Sequence, residues 1–267
     1  LKPISEERSD SLTRRGWKIA LASAGACWLL AGCAAKPDAG PGASLTASSR
    51  LDVAQAAEES GDKQTAASMY QAAASDAPGD ASVQLRAAEG LARNGRLDDA
   101  QALLERRVKG GSRDEDLLRT LGAVQVMAGK PAAAVQTLSA ALQQKPDDVK
   151  AVVDQAVALD ILQRHDEAQA LYRQAMGLTP GDATISNDLA LSLMLSGRPA
   201  EAEAVLAPLR ESSGLPERIK TNLGIVDAAS GHPADAEAVL GSRIGAADLA
   251  SLTQAINHGA VGGVGVR

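Results

Sequence analysis

Few side chains in this sequence could do chemistry, and their spacing decides what each can be. The three histidines, His165, His232 and His258, could bind a metal or move a proton, but none has a partner Cys or Glu at ligand spacing. They read as surface residues of turns and of the C-terminal segment. Asp98-Asp99 and Asp147-Asp148 are paired carboxylates of the kind used in acid–base catalysis. Each pair stands beside a predicted helix start, where negative charge complements the helix dipole, and that explains them better than catalysis. No Gly-rich loop follows a strand, because no strand is predicted, and no nucleophile elbow or Cys–His arrangement can be assembled. The expectation is a protein that is not an enzyme and has no cofactor or metal, with its function carried by surfaces.

The remaining reactive groups are Cys27 and Cys33. Arg14, Arg15 and Lys18 precede an apolar run from Ile19 to Ala31, a length suited to secretion and too short to span a bilayer alone. The run closes on Leu30-Ala31-Gly32-Cys33, which resembles a bacterial lipobox. That resemblance implies a lipoprotein signal peptide over 1–32 and acylation of Cys33, with two or three chains giving stable anchoring at about 0.8 kcal/mol per buried methylene. Cleavage would remove Cys27, so the mature chain could form no disulfide. Thr13-Arg14-Arg15-Gly16-Trp17-Lys18 also resembles a twin-arginine export signal, imperfectly at Trp17 and Lys18. Leu1 stands first and no Met precedes Met69, which points to an alternative start codon or a truncation. Ala34, where an Asp would favour inner-membrane retention in enterobacterial sorting, implies the periplasmic face of the outer membrane. Residues 33–46 hold Lys36-Pro37-Asp38-Ala39-Gly40-Pro41-Gly42 and read as the lipidated Cys and a flexible tether, reaching roughly 20 Å root-mean-square.

Composition narrows the rest. The 267 residues include no Phe, two Trp and two Tyr, and both Trp lie within the predicted signal. An Ala- and Leu-rich chain with so little aromatic bulk must be built from many small helix contacts. The formal net charge is −6, and the predicted signal carries a small basic excess. The mature part is therefore acidic, which excludes nucleic acid as a partner and leaves the lipid anchor as its means of membrane attachment.

Stepping along the chain in units of 34 residues reveals what positions its surfaces. Ala66, Ala100, Ala134, Ala168, Ala202 and Ala236 keep that interval without insertion or deletion. Twelve residues before each is a small residue, Ala54, Ala88, Gly122, Ala156, Ala190 or Gly224, and four residues after each is a large one, Tyr70, Leu104, Leu138, Tyr172, Leu206 or Leu240. Two helices of a hairpin approach closely only where side chains are small, and the large residue should fill the groove to the next hairpin. Gly61, Gly95, Gly129, Gly197 and Gly231 recur where the first helix must stop, with Gln163 breaking the series. Pro131, Pro199 and Pro233 follow two residues later, at second-helix starts.

These small, large, Gly and Pro positions resemble the tetratricopeptide repeat family. The resemblance implies an all-α, right-handed solenoid of six helical hairpins over 47–241, followed by a capping helix over 242–258 that carries Leu249, Leu252 and Ile256, and a disordered Gly-rich tail over 259–267. Pro208 lies inside the second helix of the fifth hairpin, should end or kink it, and predicts a different splay for hairpins five and six.

In such an array the first helices line a concave groove, into which the residues one and five after the small position point. In the first two repeats these are Gln55 with Glu59 and Glu89 with Arg93. In the next four they are Ala123 with Met127, Val157 with Ile161, Leu191 with Leu195, and Ile225 with Ala229. The candidate partner-binding residues are accordingly Met127, Val157, Ile161, Leu191, Leu195 and Ile225, an apolar surface for a helix or strand of a protein partner, with burial as core the competing reading.

The segments Asn187-Asp188-Leu189-Ala190-Leu191-Ser192, Ser196-Gly197-Arg198-Pro199-Ala200-Glu201-Ala202, Pro208-Leu209 and Asn222-Leu223-Gly224 are similar to the TadD family of Flp pilus (tight-adherence) assembly lipoproteins. That resemblance implies a lipid-anchored scaffold assisting a pilus secretin. The alternative is another outer-membrane lipoprotein adaptor, serving outer-membrane protein assembly or peptidoglycan enzymes.

Overall fold

The computed structural model describes residues 45–212, 214–240 and Ser251. The expected signal segment, Cys33, most of the tether, the tail and, apart from Ser251, the capping helix lie outside the described residues. Twelve α-helices run through the described chain in six hairpins: α1 Ala47–Glu59, α2 Lys63–Asp76, α3 Ala81–Arg93, α4 Leu97–Lys109, α5 Glu115–Met127, α6 Pro131–Leu142, α7 Val149–Ile161, α8 His165–Leu178, α9 Ala183–Leu195, α10 Pro199–Leu206, α11 Glu217–Ala229 and α12 Pro233–Leu240. Each helix packs on the next, and no strand occurs among the described residues.

Local chemistry fixes the helix ends. Asp80, Asp114, Asp148 and Asp182 cap α3, α5, α7 and α9, each carboxylate accepting first-turn amide hydrogens. The hairpin turns need a left-handed residue, and Gly61, Gly95, Gly129, Gly197 and Gly231 supply it at φ of 69–89°. Gln163 occupies the same turn at φ 60°, the one non-Gly residue with positive φ among those described. Pro131, Pro199 and Pro233 are the first residues of α6, α10 and α12.

The small positions are sealed: Ala54, Ala66, Ala88, Ala100, Ala134, Ala156, Ala168, Ala190, Ala202 and Ala236 are all fully buried. The large residues serve both contacts: Leu138 shares a buried cluster with Ala151 and Ala158 of the next hairpin, and some also press on their own. Leu138 and Leu240 lean back on their own hairpins, where a Cβ on Gly122 or Gly224 would come within 2.4 Å and 2.5 Å of them. Tyr70 reaches forward instead, and a Cβ on Gly90 would lie 2.3 Å from its ring.

The two tyrosines impose a further condition, since a buried hydroxyl must find an acceptor. The phenol of Tyr70 donates to Glu58 at 2.8 Å, and that of Tyr172 bonds Asp160, which stands three repeats after Glu58. In the four repeats with Leu in place of Tyr, the residue equivalent to Glu58 is Ala92, Val126, Met194 or Ala228. Acid accompanies Tyr, and an apolar residue accompanies Leu.

The first helices α1, α3, α5 and α7 lie side by side, as do α9 and α11, while α7 and α9 stand further apart. Where the Tyr70 ring rests on Gly90, the equivalent residue for Tyr172 is Ser192, whose hydroxyl donates to Asp160 at 2.7 Å. The first helices separate between hairpins four and five, a step that no residue spacing marked. Pro208 does end its helix: α10 stops at Leu206, and Ala207–Leu209 form a 3-10 turn.

Candidate interaction face

Each first helix buries one side and turns the other outward. In α7 the buried residues are Ala151, Val152, Gln155, Ala156, Ala158 and Leu159, which leaves Lys150, Asp154, Val157 and Ile161 along the opposite face. The same spacing places Ala123 and Met127 on α5, where Thr120 of the row is buried, Asp188, Leu191 and Leu195 on α9, and Asn222, Ile225 and Ala229 on α11. Side-by-side packing brings the equivalent positions of α5 and α7 together, and those of α9 and α11, with the wider step between α7 and α9 dividing the two groups.

Among the residues expected to bind a partner, the structure separates two sets. Met127, Ile161 and Leu195 are 56%, 51% and 55% exposed, at intervals of 34 residues. They form a ladder of large apolar side chains in solvent. Val157, Leu191 and Ile225 are half-buried, and Val157 packs against the core. Ala123 is half-buried as well, whereas Ala229 is buried, which ends the ladder at hairpin five. The polar end is also as spaced: Gln55 donates to Glu59 at 3.0 Å, and Arg93 donates to Glu58 at 2.7 Å. The Arg93 guanidinium holds the Glu58 carboxyl below its ordinary range, while burial and that carboxylate push the Tyr70 phenol up.

The catalytic candidates take structural places. Asp148 caps α7, accepting from the amides of Lys150 and Ala151 at 3.0 and 3.2 Å, and Asp98 and Asp99 occupy the first turn of α4. His165 opens α8 with its Nδ1 2.8 Å from Asp160, and His232 bonds Glu203. His258 lies outside the described residues. Among the described residues no group of three or more His, Cys, Asp or Glu side chains could hold a metal, and no helix is long and apolar enough to cross a membrane.

Two features escaped the sequence reading. Asp227 falls in the column of Ala57, Leu91, Gln125, Leu159 and Leu193 and is fully buried, yet it is a carboxylate. Arg210 answers it: Nη1 donates to Oδ2 at 2.8 Å, and Nη2 donates to the other oxygen. Nη2 also reaches Glu203 at 3.4 Å, which His232 contacts at 3.0 Å. Burial raises the Asp227 pKa and Arg210 opposes the rise. The break at Pro208 is what sets Arg210, just beyond the 3-10 turn, beside Asp227 in α11.

The second feature is a pair of acids in the apolar region. Burial lifts the Asp154 carboxyl to about 6, against the Arg119 charge, and lifts that of Asp188 as well, against a hydrogen bond from Asn187. A carboxylate on a predicted helix carries no signal of its burial until neighbouring helices are in place.

An array of two-helix repeats, each packing on the next and presenting its first helices along one face, is a helical solenoid of the protein-binding class. Tetratricopeptide repeat models match residues 57–123 and 161–221, 119–183, and 218–242. The chain belongs to the tetratricopeptide repeat family, whose domains mediate protein–protein interaction and are generally scaffolds without enzymatic activity. An uncharacterised protein of Sinorhizobium fredii, y4yS, is 42% identical over 69 residues, 26% of this chain. The match spans 38% of that relative's length. Among solved structures, TTC0263, a thermophilic tetratricopeptide protein of Thermus thermophilus, superposes with a TM-score of 0.56 at 18% identity, covering 68% of this chain and 98% of its own. A crystal structure of MamA gives 0.52 at 18%, covering 64% and 98%. These likenesses concern the fold alone.

Proposed function

We propose that this protein is a lipid-anchored scaffold of the bacterial envelope, tethered through Cys33 to the periplasmic face of the outer membrane, which holds an apolar segment of a protein partner on its first-helix face. The observation that carries the reading is the ladder of Met127, Ile161 and Leu195, more than half exposed where a folded protein in water would otherwise bury such side chains. Its similarity to TadD directs the proposal to a tight-adherence pilus, with the secretin subunit as partner. The anchor would carry the cargo to the membrane while the face shields its apolar segment.

Two variants test the two halves. Cys33→Ser should abolish palmitate labelling and release the protein from the outer membrane; an unlabelled native protein, or a variant that stays membrane-bound, overturns the anchor. Ile161→Glu with Leu195→Glu should preserve helical circular dichroism and abolish capture of purified secretin. Each carboxylate is solvated in the free protein and becomes costly only when a partner dries it. Undiminished capture by the folded variant overturns the face.

A further inference from the structure

The ladder is not purely apolar. Asp154 lies seven residues, about two helical turns, before Ile161, and Asp188 bears the same relation to Leu195, so each carboxyl stands nearly in line with an exposed rung on the same helix face. Between them on that face are Val157 and Leu191. No ion pair among the described residues reaches either carboxylate. Arg119, Lys150 and Asp148 bear on Asp154 only through space, and Arg218, Asp182 and Asp160 on Asp188 likewise. Asn187 alone gives a hydrogen bond, to Asp188 at 3.2 Å. Most other acids of the hairpins are answered: Asp116 and Asp148 by Arg119, Glu115 by Lys145, Glu167 by Arg164, and Asp227 by Arg210.

Resting on the binding face proposed above, we infer that its occupant is a cationic amphipathic peptide segment, whose apolar side chains cover Ile161 and Leu195 while Lys or Arg side chains one or two turns away meet Asp154 and Asp188. Charge complementarity at a half-dried surface points to this occupant. A carboxylate beside apolar side chains loses water when a partner lands, and an incoming cation offsets that loss whereas a neutral or acidic partner does not. Burial already makes both acids hold their protons more tightly than an exposed Asp, and no ion pair reverses that rise. An acidic peptide meets two unpaired negative charges and is rejected, so the pair also sets specificity.

The experiment uses the full chain in detergent and two synthetic amphipathic helical peptides with the same Leu face, one flanked by Lys and one by Glu, with binding read by fluorescence anisotropy. The Lys peptide should bind at least roughly tenfold more tightly, a preference of the size charge pairs give at partly dried interfaces. Asp154→Asn with Asp188→Asn should remove that preference, while Asp98→Asn with Asp99→Asn, an equal charge change on α4, should leave it. Equal affinities for the two peptides, both lost with Ile161→Glu and Leu195→Glu, overturn the cationic partner but leave the binding face standing. A preference that the Asp98 and Asp99 changes reduce as much overturns the inference in favour of net charge. Self-association through Ile161 and Leu195 that the Lys peptide does not displace assigns the face to a second copy and overturns it too.

Discussion

Gly90 shows how closely single residues are specified. In a helix interior Ala is favoured over Gly by about 1 kcal/mol, so Gly90→Ala ought to stabilise α3. The buried Tyr70 ring forbids it, because the new methyl would stand 2.3 Å from the ring and Tyr70 is only 3% exposed. The expected result is a net loss of about 1–3 kcal/mol by urea unfolding, part of which Tyr70→Leu recovers in the double variant. Asp154 makes the opposite case. Its folded-state pKa of about 6 lies above the ordinary 3.8, so the protonated form favours folding. Its contribution is fully present below about pH 4, fades as pH rises through 6, and leaves a penalty at neutrality. Asp154→Asn should therefore stabilise the protein at pH 7, by at most about 3 kcal/mol, with the gain vanishing as pH falls from 6 to 4. Unfolding curves at the two pH values check the sign.

Among the described residues, the sixth hairpin holds the one fully buried charged side chain, Asp227, and the fifth supplies its partner, Arg210. Arg210→Ala would leave the Asp227 carboxylate buried and unpaired, at a cost of about 3 kcal/mol. Arg210→Leu with Asp227→Leu, which gives position 227 the Leu of Leu91, Leu159 and Leu193, should be as stable as the native chain or more so. Comparison of thermal midpoints decides it. Most of the element layout was legible in the sequence, because a 34-residue period with small residues at helix contacts, Gly at turns and Pro at helix starts leaves few ways to pack. Gln163 could be recognised as the odd turn, since it fell in a column of glycines. The wider step between α7 and α9 could not, because the residues of one helix do not encode its distance from the next. Likewise Pro208 foretold the end of α10 but not that Arg210 would thereby meet Asp227.

For the whole molecule, the sequence placed six apolar residues on one face, and only the packed array divides them. Val157, Leu191 and Ile225 sink between neighbouring helices, and Met127, Ile161 and Leu195 remain in water. How far a side chain sinks depends on the distance between successive first helices, which the residues of one helix do not encode. The division matters for experiment, since charges at Ile161 and Leu195 test binding whereas charges at half-buried Leu191 and Ile225 would also disturb the fold. The central claim, that a protein partner occupies this ladder, is tested most directly by placing a photo-crosslinking amino acid at Met127, Ile161 or Leu195 in living cells, with exposed Ala102 of α4 and Ala170 of α8 as controls on the second helices. The expected result is one shared cross-linked protein from the three ladder positions and none from the controls. Cross-links of equal yield from Ala102 and Ala170, or none from the ladder, would contradict it.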